Sequence, residues 1–272
     1  MIVFPPCKIN LGLHITRKRP DGYHDLETVF YPLALRDALE AIRNESVAGI
    51  HFTSSGLPIQ GDPSDNLCVK AYHLLQKDFP DLPGTSMHLH KAIPMGAGLG
   101  GGSADGAFAL MLLNRLFHLQ LSNEQLAGYA LQLGSDCPFF IYGNPCFATG
   151  RGEIFEPVAI DLSNYVFIVV APGIHVSTAE AFAGNNPSQP AISIKDIIRL
   201  PPATWKEKLV NDFEAHISQK HPAISEIKNE LYRTGAVYAS MTGSGSCVYG
   251  LFDRGASIPV SLSAKYPTWL VE

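Results

Sequence analysis

The sequence predicts a mixed α+β protein of two domains. Three observations lead there. Strand-like alternation and helix-like periodicity interleave along the whole chain; 272 residues, 46% hydrophobic and 17% charged, suffice for two cores; and a turn-rich stretch at 150–157 (GRGEIFEP) separates two freshly patterned halves. The boundary is placed near Glu156, giving domains at 1–156 and 157–272.

From Cys7 to Ile15 the residues alternate. Cys7, Ile9, Leu11, Leu13 and Ile15 share one face, and Lys8, Asn10, Gly12 and His14 the other, so a strand with one polar face is expected. Pro20-Asp21-Gly22 marks a turn, and a second strand from His24 to about Leu33 completes a hairpin that sets Tyr23 and His24 at a strand mouth. Ser64-Asp65-Asn66 offers N-cap side chains to a helix through Leu75. Met87 to Ile93 alternates again and ends at Pro94. Ala104 to Phe117 has a helix pattern, and Ser122 with Gln125 forms a capping box for the next helix. In the second half a strand over Tyr165–Ala171 precedes a helix entered at Ser177. Helices are expected around Trp205–His216 and Ala223–Arg233, then a turn at Met241–Gly245 and a strand Ser246–Phe252.

Composition excludes several function classes. Lys+Arg 20 against Asp+Glu 25 gives a net charge of −5, and no basic run supplies the footprint that holds a nucleic acid. No stretch approaches the roughly 18 apolar residues of a membrane span, and MIVFPPCK lacks the basic region of a signal peptide, so no membrane partner and a cytoplasmic location are expected. Cys7, Cys68, Cys137, Cys146 and Cys247 never fall into a C-x-x-C spacing, which points to reduced, partly buried thiols rather than disulfides or zinc. His88 and His90 share a strand face at metal-ligand spacing, but without a third ligand a surface or packing role is the expectation.

Five of the seven residues from Gly96 to Gly102 are glycine, set between a strand and a helix. Such a loop lets backbone N–H groups close on a ligand while the helix start adds its positive dipole end, and phosphate is the natural occupant. The G-x-x-x-x-G-K-[ST] loop is absent, because Gly102 is followed by Ser103 and Ala104. Gly96-x-Gly98-x-x-Gly101 matches a dinucleotide fingerprint, yet the acidic residue about 20 positions on, Glu124, falls in a predicted helix turn instead of at a strand end.

The segment Pro94-Met95-Gly96-Ala97-Gly98-Leu99-Gly100-Gly101-Gly102-Ser103-Ala104 resembles the second motif of the GHMP kinase superfamily. Its triple glycine resembles the branch that acts on cytidine-diphospho methylerythritol. Four more blocks agree in order and spacing: PCKINL at 6–11, RPDGYH at 19–24, GSDCPFF at 134–140 and MTGSGS at 241–246. The resemblance implies a two-domain GHMP fold, with an N-terminal domain of the ribosomal-protein-S5 domain 2-like type and a ferredoxin-like C-terminal domain. It also implies ATP and Mg2+, and phosphorylation of a tertiary 2-hydroxyl on a small-molecule substrate by a monomer or weak homodimer. Ala104 and Gly106 depart from the family, where serine and alanine are common, and the magnesium ligands stay unassigned.

Site residues follow from the same match. Asp136 is the implied base, although a G-S-D-x-P context by itself suits a turn or N-cap aspartate. Lys8, which alone would read as a solvated lysine, is implied to lie beside it, where a cation would keep the carboxylate ionised and stabilise a developing alkoxide. Residues 94–104 are implied to hold ATP, with Asn66 at adenine or serving as an N-cap. Asn10, Tyr23, His24, Phe30, Thr178 and Phe182 are implied substrate contacts: Tyr23 and Phe182 flank the cytosine ring, and His24 reads its edge.

Overall fold

The computed structural model describes residues 1–272. The chain opens with β1 (Ile2–Val3), β2 (Pro6–Lys18), β3 (His24–Arg36), β4 (Ala38–Arg43) and β5 (Ile50–Gly56). There follow α1 (Leu67–Asp78), β6 (Thr85–Lys91), α2 (Gly101–Leu116), α3 (Asn123–Leu133), α4 (Cys137–Tyr142), β7 (Cys146–Thr149) and β8 (Ile154–Pro157). The remainder holds β9 (Tyr165–Val170), α5 (Thr178–Ala183), α6 (Ile194–Ile197), α7 (Asp212–Lys220), α8 (Pro222–Arg233), β10 (Tyr238–Met241), β11 (Val248–Asp253), α9 (Val260–Ser263) and β12 (Thr268–Val271).

Two compact units divide the chain. The first gathers Met1–Cys7, Leu35–Met95 and Gly100–Asn144; the second gathers Lys8–Ala34, Gly96–Leu99 and Pro145–Glu272. In the first, a sheet of order β1-β4-β6-β5 pairs β5 parallel to β6 and β4 antiparallel to it. Leu39, Ala41, Met87 and Leu89 form its buried face, and α2 packs on β4. The capping box at the start of α3 is complete, Ser122 and Gln125 each bonding the other's backbone.

The second unit carries two sheets. One runs β2-β3-β7-β8; the other, of order β10-β11-β9-β12, is antiparallel throughout. From β9 on, the chain order is strand, helices, two strands, helix, strand, with the first strand between the third and the last. That is the ferredoxin-like arrangement. Its core joins Ile168, Val170, Ile217, Ile227, Leu231 and Val248 with Leu13 and Ile15 from β2.

Several expectations change. The polar face of β2 is not solvated: Lys8 is 3% and Asn10 2% exposed, because both faces of this strand are covered. The helix expected over Trp205–His216 begins only at Asp212. The preceding residues run along β2, with Leu13 donating its N–H to the Val210 carbonyl at 2.8 Å, and Asn211 then caps the helix by accepting from Phe213 N. The turn-rich stretch at 150–157 includes a strand, β8, paired to β7. The strand expected from Ser246 starts at Val248, since Ser246 donates its hydroxyl to the Ile174 carbonyl and Cys247 N bonds the Ala97 carbonyl. No disulfide joins the five cysteines, and all are buried.

Candidate active site

Of the glycine loop, residues up to Met95 and from Gly100 on fall in the first unit and Gly96–Leu99 in the second. In the first unit, β6 ends in Lys91, and the chain passes Pro94 and Met95 before re-entering at Gly100. Gly100 takes a left-handed conformation (φ 69°) as the N-cap of α2 without a side-chain capping bond. The opening N–H groups of the 16-residue helix, from Gly101, Gly102 and Ser103, have no intrahelical acceptor, the electrostatic setting for an anion. A Cβ on Gly102 would meet nothing within 4 Å, whereas one on Gly101 would press on Ile93 Cγ2 at 2.9 Å and Lys91 Nζ at 3.0 Å. Gly101 therefore answers to packing, and Gly102 leaves open room. Ala104 is buried within the helix. Ser103 bonds Cys137, and burial pushes that thiol up to about 12 against this hydrogen bond.

Beneath this junction lies a buried ion cluster. The Lys91 ammonium, 1% exposed, bonds Asp105 Oδ2 at 2.7 Å and Asp37 Oδ2 more closely still. Asp37 Oδ1 accepts the N–H groups of Ala92 at 2.6 Å and Ile93 at 2.8 Å. The cluster thus ties β4, the run-in to the loop and the first turns of α2 together. Burial works to strip Lys91 of its proton, and the two carboxylates overcome it and raise its pKa. Burial pushes the Asp105 carboxyl up to about 7, with Asp37 adding to the effect and Lys91 opposing it; Asp105 Oδ1 has no hydrogen-bond partner.

Two further predicted residues sit in this unit. Asn66 caps α1, its Oδ1 accepting from Cys68 N at 2.9 Å. Asp136 stands at the N-cap position of α4 and makes no side-chain capping bond.

In the second unit the loop's middle packs against the turn at 241–246. Gly98 (φ 78°) comes so close that a Cβ would lie 1.9 Å from the Thr242 carbonyl oxygen, and Lys8 N bonds the Leu99 carbonyl at 2.9 Å. Gly96 takes φ 62°, with the His175 ring against it. The Lys8 ammonium bonds Asn10 Oδ1 at 2.6 Å and the Gly98 carbonyl at 3.3 Å, and lies 4.8 Å from the centre of the Phe30 ring. Asn10 is held on every side: its N–H bonds Thr242 Oγ1, its amide nitrogen donates to Thr28 Oγ1 at 2.9 Å, and its oxygen also accepts from Thr242. A buried cation costs free energy unless compensated, and this network supplies part of the compensation. Thr28 and Thr242, both fully buried, escaped notice as positioning residues. The signal available was a hydroxyl residue at a core position of each segment.

The aromatic residues lie in this unit too. Phe182, in α5, stacks on His24 (ring centres 4.6 Å apart, 20° between planes), and Phe213 meets it edge-on at 4.9 Å. Tyr23 is 56% exposed, with the Arg151 guanidinium 4.8 Å from its ring centre. Thr178 is the exposed first residue of α5, which Ser177 caps by accepting from Glu180 N. The Glu180 carboxylate turns to His221 and Lys220. His88 bonds Thr53 and Ser55, and His90 bonds Ser55. No group of three His, Cys, Asp or Glu side chains converges on a metal site.

Residues 66–144 match the family GHMP kinases N terminal domain, and residues 194–267 the family GHMP kinases C terminal. A 4-diphosphocytidyl-2-C-methyl-D-erythritol kinase of Bacteroides thetaiotaomicron is 56% identical over 261 residues, covering 95% of this chain and 94% of the relative. One of Cytophaga hutchinsonii is 47% identical, covering 93% of each. Among solved structures, a 4-(cytidine 5'-diphospho)-2C-methyl-D-erythritol kinase superposes with a TM-score of 0.84 at 30% identity, over 100% of this chain and 98% of that one. The mevalonate kinase of Methanococcus jannaschii, with a TM-score of 0.71 at 14% identity and 100% and 97% coverage, shares the fold.

Proposed function

From the premise that the chain belongs to the GHMP kinases, and within them to the 4-diphosphocytidyl-2-C-methyl-D-erythritol kinase family, we propose how its residues carry out the reaction. The protein has the two-domain α+β GHMP fold. It is an ATP-dependent kinase that phosphorylates the 2-hydroxyl of 4-diphosphocytidyl-2-C-methyl-D-erythritol, in non-mevalonate isoprenoid precursor synthesis. The observation that carries this reading is the identity to such kinases across nearly the whole chain.

In the proposed mechanism the substrate hydroxyl oxygen attacks the γ-phosphorus, the bond from that phosphorus to the β–γ bridging oxygen breaks to release ADP, and the hydroxyl proton passes to Asp136. Phosphoryl transfer asks the protein mainly for placement and charge neutralisation. Lys8 supplies a cation whose direction is fixed by Asn10 and the Gly98 carbonyl, suited to stabilising the alkoxide as it develops. The helix start at Gly101–Ser103 takes ATP phosphates, residues Pro94–Leu99 shape the approach, and Asn66 meets adenine through its amide nitrogen. Tyr23, His24, Phe30, Thr178 and Phe182 recognise the cytidylyl group. Asn10 acts through Lys8.

Mg2+ would come with ATP: the ion keeps several waters and binds largely through phosphates, and when bound it would neutralise phosphate charge. We take the family halves to be 1–156 and 157–272, and the protein to act as a cytoplasmic monomer or weak homodimer without nucleic-acid or membrane partners. No helix is long and apolar enough to cross a membrane. Limited proteolysis tests the division and sedimentation velocity the assembly.

The experiment is ADP release with the cytidylyl substrate against homoserine and mevalonate, for the wild type and Asp136→Asn. Turnover is expected with the cytidylyl substrate alone. The variant should bind ATP and lose about 100-fold or more in kcat, the typical worth of a positioned base. Near wild-type turnover by the variant removes Asp136 from the mechanism, and turnover of homoserine or mevalonate instead would overturn the substrate assignment.

A further inference from the structure

Between β7 and β8 the chain turns through Gly150-Arg151-Gly152, and both glycines adopt positive φ (69° and 105°). The turn is fastened at three points. The Gly150 carbonyl accepts from Leu26 N at 2.8 Å, two residues past His24; Gly152 N bonds the Thr149 carbonyl; and Arg151 N donates to Glu153 Oε2. An arginine raised between two such glycines on a pinned turn has a defined origin for its side chain.

That side chain goes to Tyr23. Its guanidinium carbon is 4.8 Å from the ring centre, and Glu153 Oε1 lies 3.5 Å from Arg151 Nε. The Tyr23 backbone is itself fixed, its N–H donating to Asp21 Oδ1 and its carbonyl accepting from Arg19 N. The ring projects from this anchored backbone and is largely exposed. A half-exposed tyrosine otherwise samples several rotamers, and ordering it on binding costs conformational entropy. A planar guanidinium against one face restricts the ring and leaves the other face for a flat ligand.

We propose that Arg151 is a positioning residue for the cytidylyl group: it backs one face of Tyr23 and so presents the opposite face to the base. This rests on the reading of Tyr23 as a base platform. The effect works through placement rather than long-range attraction, because the nearby Glu153 carboxylate offsets the guanidinium charge. It should therefore persist at high salt, where attraction between exposed charges is screened.

The test is a double-mutant cycle on the full-length enzyme with Arg151→Ala, Tyr23→Leu and the pair, reading KM for the cytidylyl substrate, KM for ATP and kcat at 0.05 and 0.5 M salt. Circular dichroism and thermal melts control for folding. Arg151→Ala should raise the cytidylyl KM about 2- to 10-fold at both salts, the range of a cation–π contact, with kcat and the ATP KM within about twofold. Arg151→Lys, which keeps the charge and loses the planar face, should restore only part. In the Tyr23→Leu background, removing Arg151 should change nothing further. If Tyr23→Leu raises KM while Arg151→Ala is silent, or if the two effects simply multiply, Arg151 does not act through Tyr23 and the inference is overturned. If Tyr23→Leu is itself silent, the base-platform reading fails and takes this inference with it.

Discussion

Around the glycine loop the first unit is held by buried charge, with Lys91 locked between Asp37 and Asp105; around Tyr23 and Phe182 the second unit is held by rings, some of them largely open to water. The difference follows from what each region has to meet. On the proposed function a phosphate chain would meet backbone N–H groups whose directions cannot adjust, which suits a strand, loop and helix bolted together by bonds that are strong where water is excluded. On the same proposal a base would meet faces that tolerate sliding, which suits a pocket assembled from side chains that pair with one another, as His24 does with Phe182 and Arg151 with Tyr23.

The sharpest way to break this contrast is Lys91→Met. Removing the cation leaves the buried side chains of Asp37 and Asp105 without their partner, and the loss should be about 3–5 kcal/mol in urea unfolding. A loss below about 1 kcal/mol would mean that the cluster is not what fastens the loop. Phe182→Ala in the second unit should do the reverse. It should weaken the cytidylyl substrate by about 1–3 kcal/mol, the worth of an aromatic partner to a base, while ATP binds as before. Isothermal titration with each ligand separates the two, and an equal loss for both would erase the distinction between the regions.

A third measurement sharpens the electrostatic side. Asp105 has a pKa raised from 3.8 to about 7 in the folded protein, so the native state holds a proton that the unfolded chain has released. Its contribution to stability is complete below about pH 3.8 and is lost as pH rises towards 7, at about 1.4 kcal/mol per pH unit for one linked proton. Urea midpoints between pH 4.5 and 7.5 should fall for the wild type relative to Asp105→Asn. Parallel profiles would show that Asp105 stays ionised in the fold. The smallest effect belongs to the exposed hydroxyl–imidazole ladder: His88→Ala should cost less than about 0.5 kcal/mol in the same urea experiment, and a larger loss would give that sheet face a role it is not assigned here.

Much of this was legible in the sequence. The strands β2, β3, β6 and β9 and the helix after the glycine loop follow from alternation and periodicity. The short strands β4 and β5 were missed, because six or seven residues such as Ile50–Gly56, rich in serine and threonine, carry little apolar signal. The burial of Lys8 was missed because alternation marks two faces without saying that both are covered. The ion cluster left a trace that went unread. Lys91 continues the parity of Met87 and Leu89, and Asp105 follows Ala104 in the buried stripe of α2, so each puts a charge where the pattern calls for an apolar residue.

The five buried thiols give the chain a clock of its own. Cys7, Cys68 and Cys137 belong to the first unit and Cys146 and Cys247 to the second, and all are shielded from solvent. Burial pushes Cys146 up to about 12 and Cys68 well above the usual thiol range, so the reactive thiolate is scarce in the folded state. A thiol-alkylating reagent would then mark each cysteine only when its surroundings open. Peptide-resolved mass spectrometry of the labelled protein would time the opening of each unit separately, with no engineered probe, and would show whether a bound nucleotide slows one clock or both.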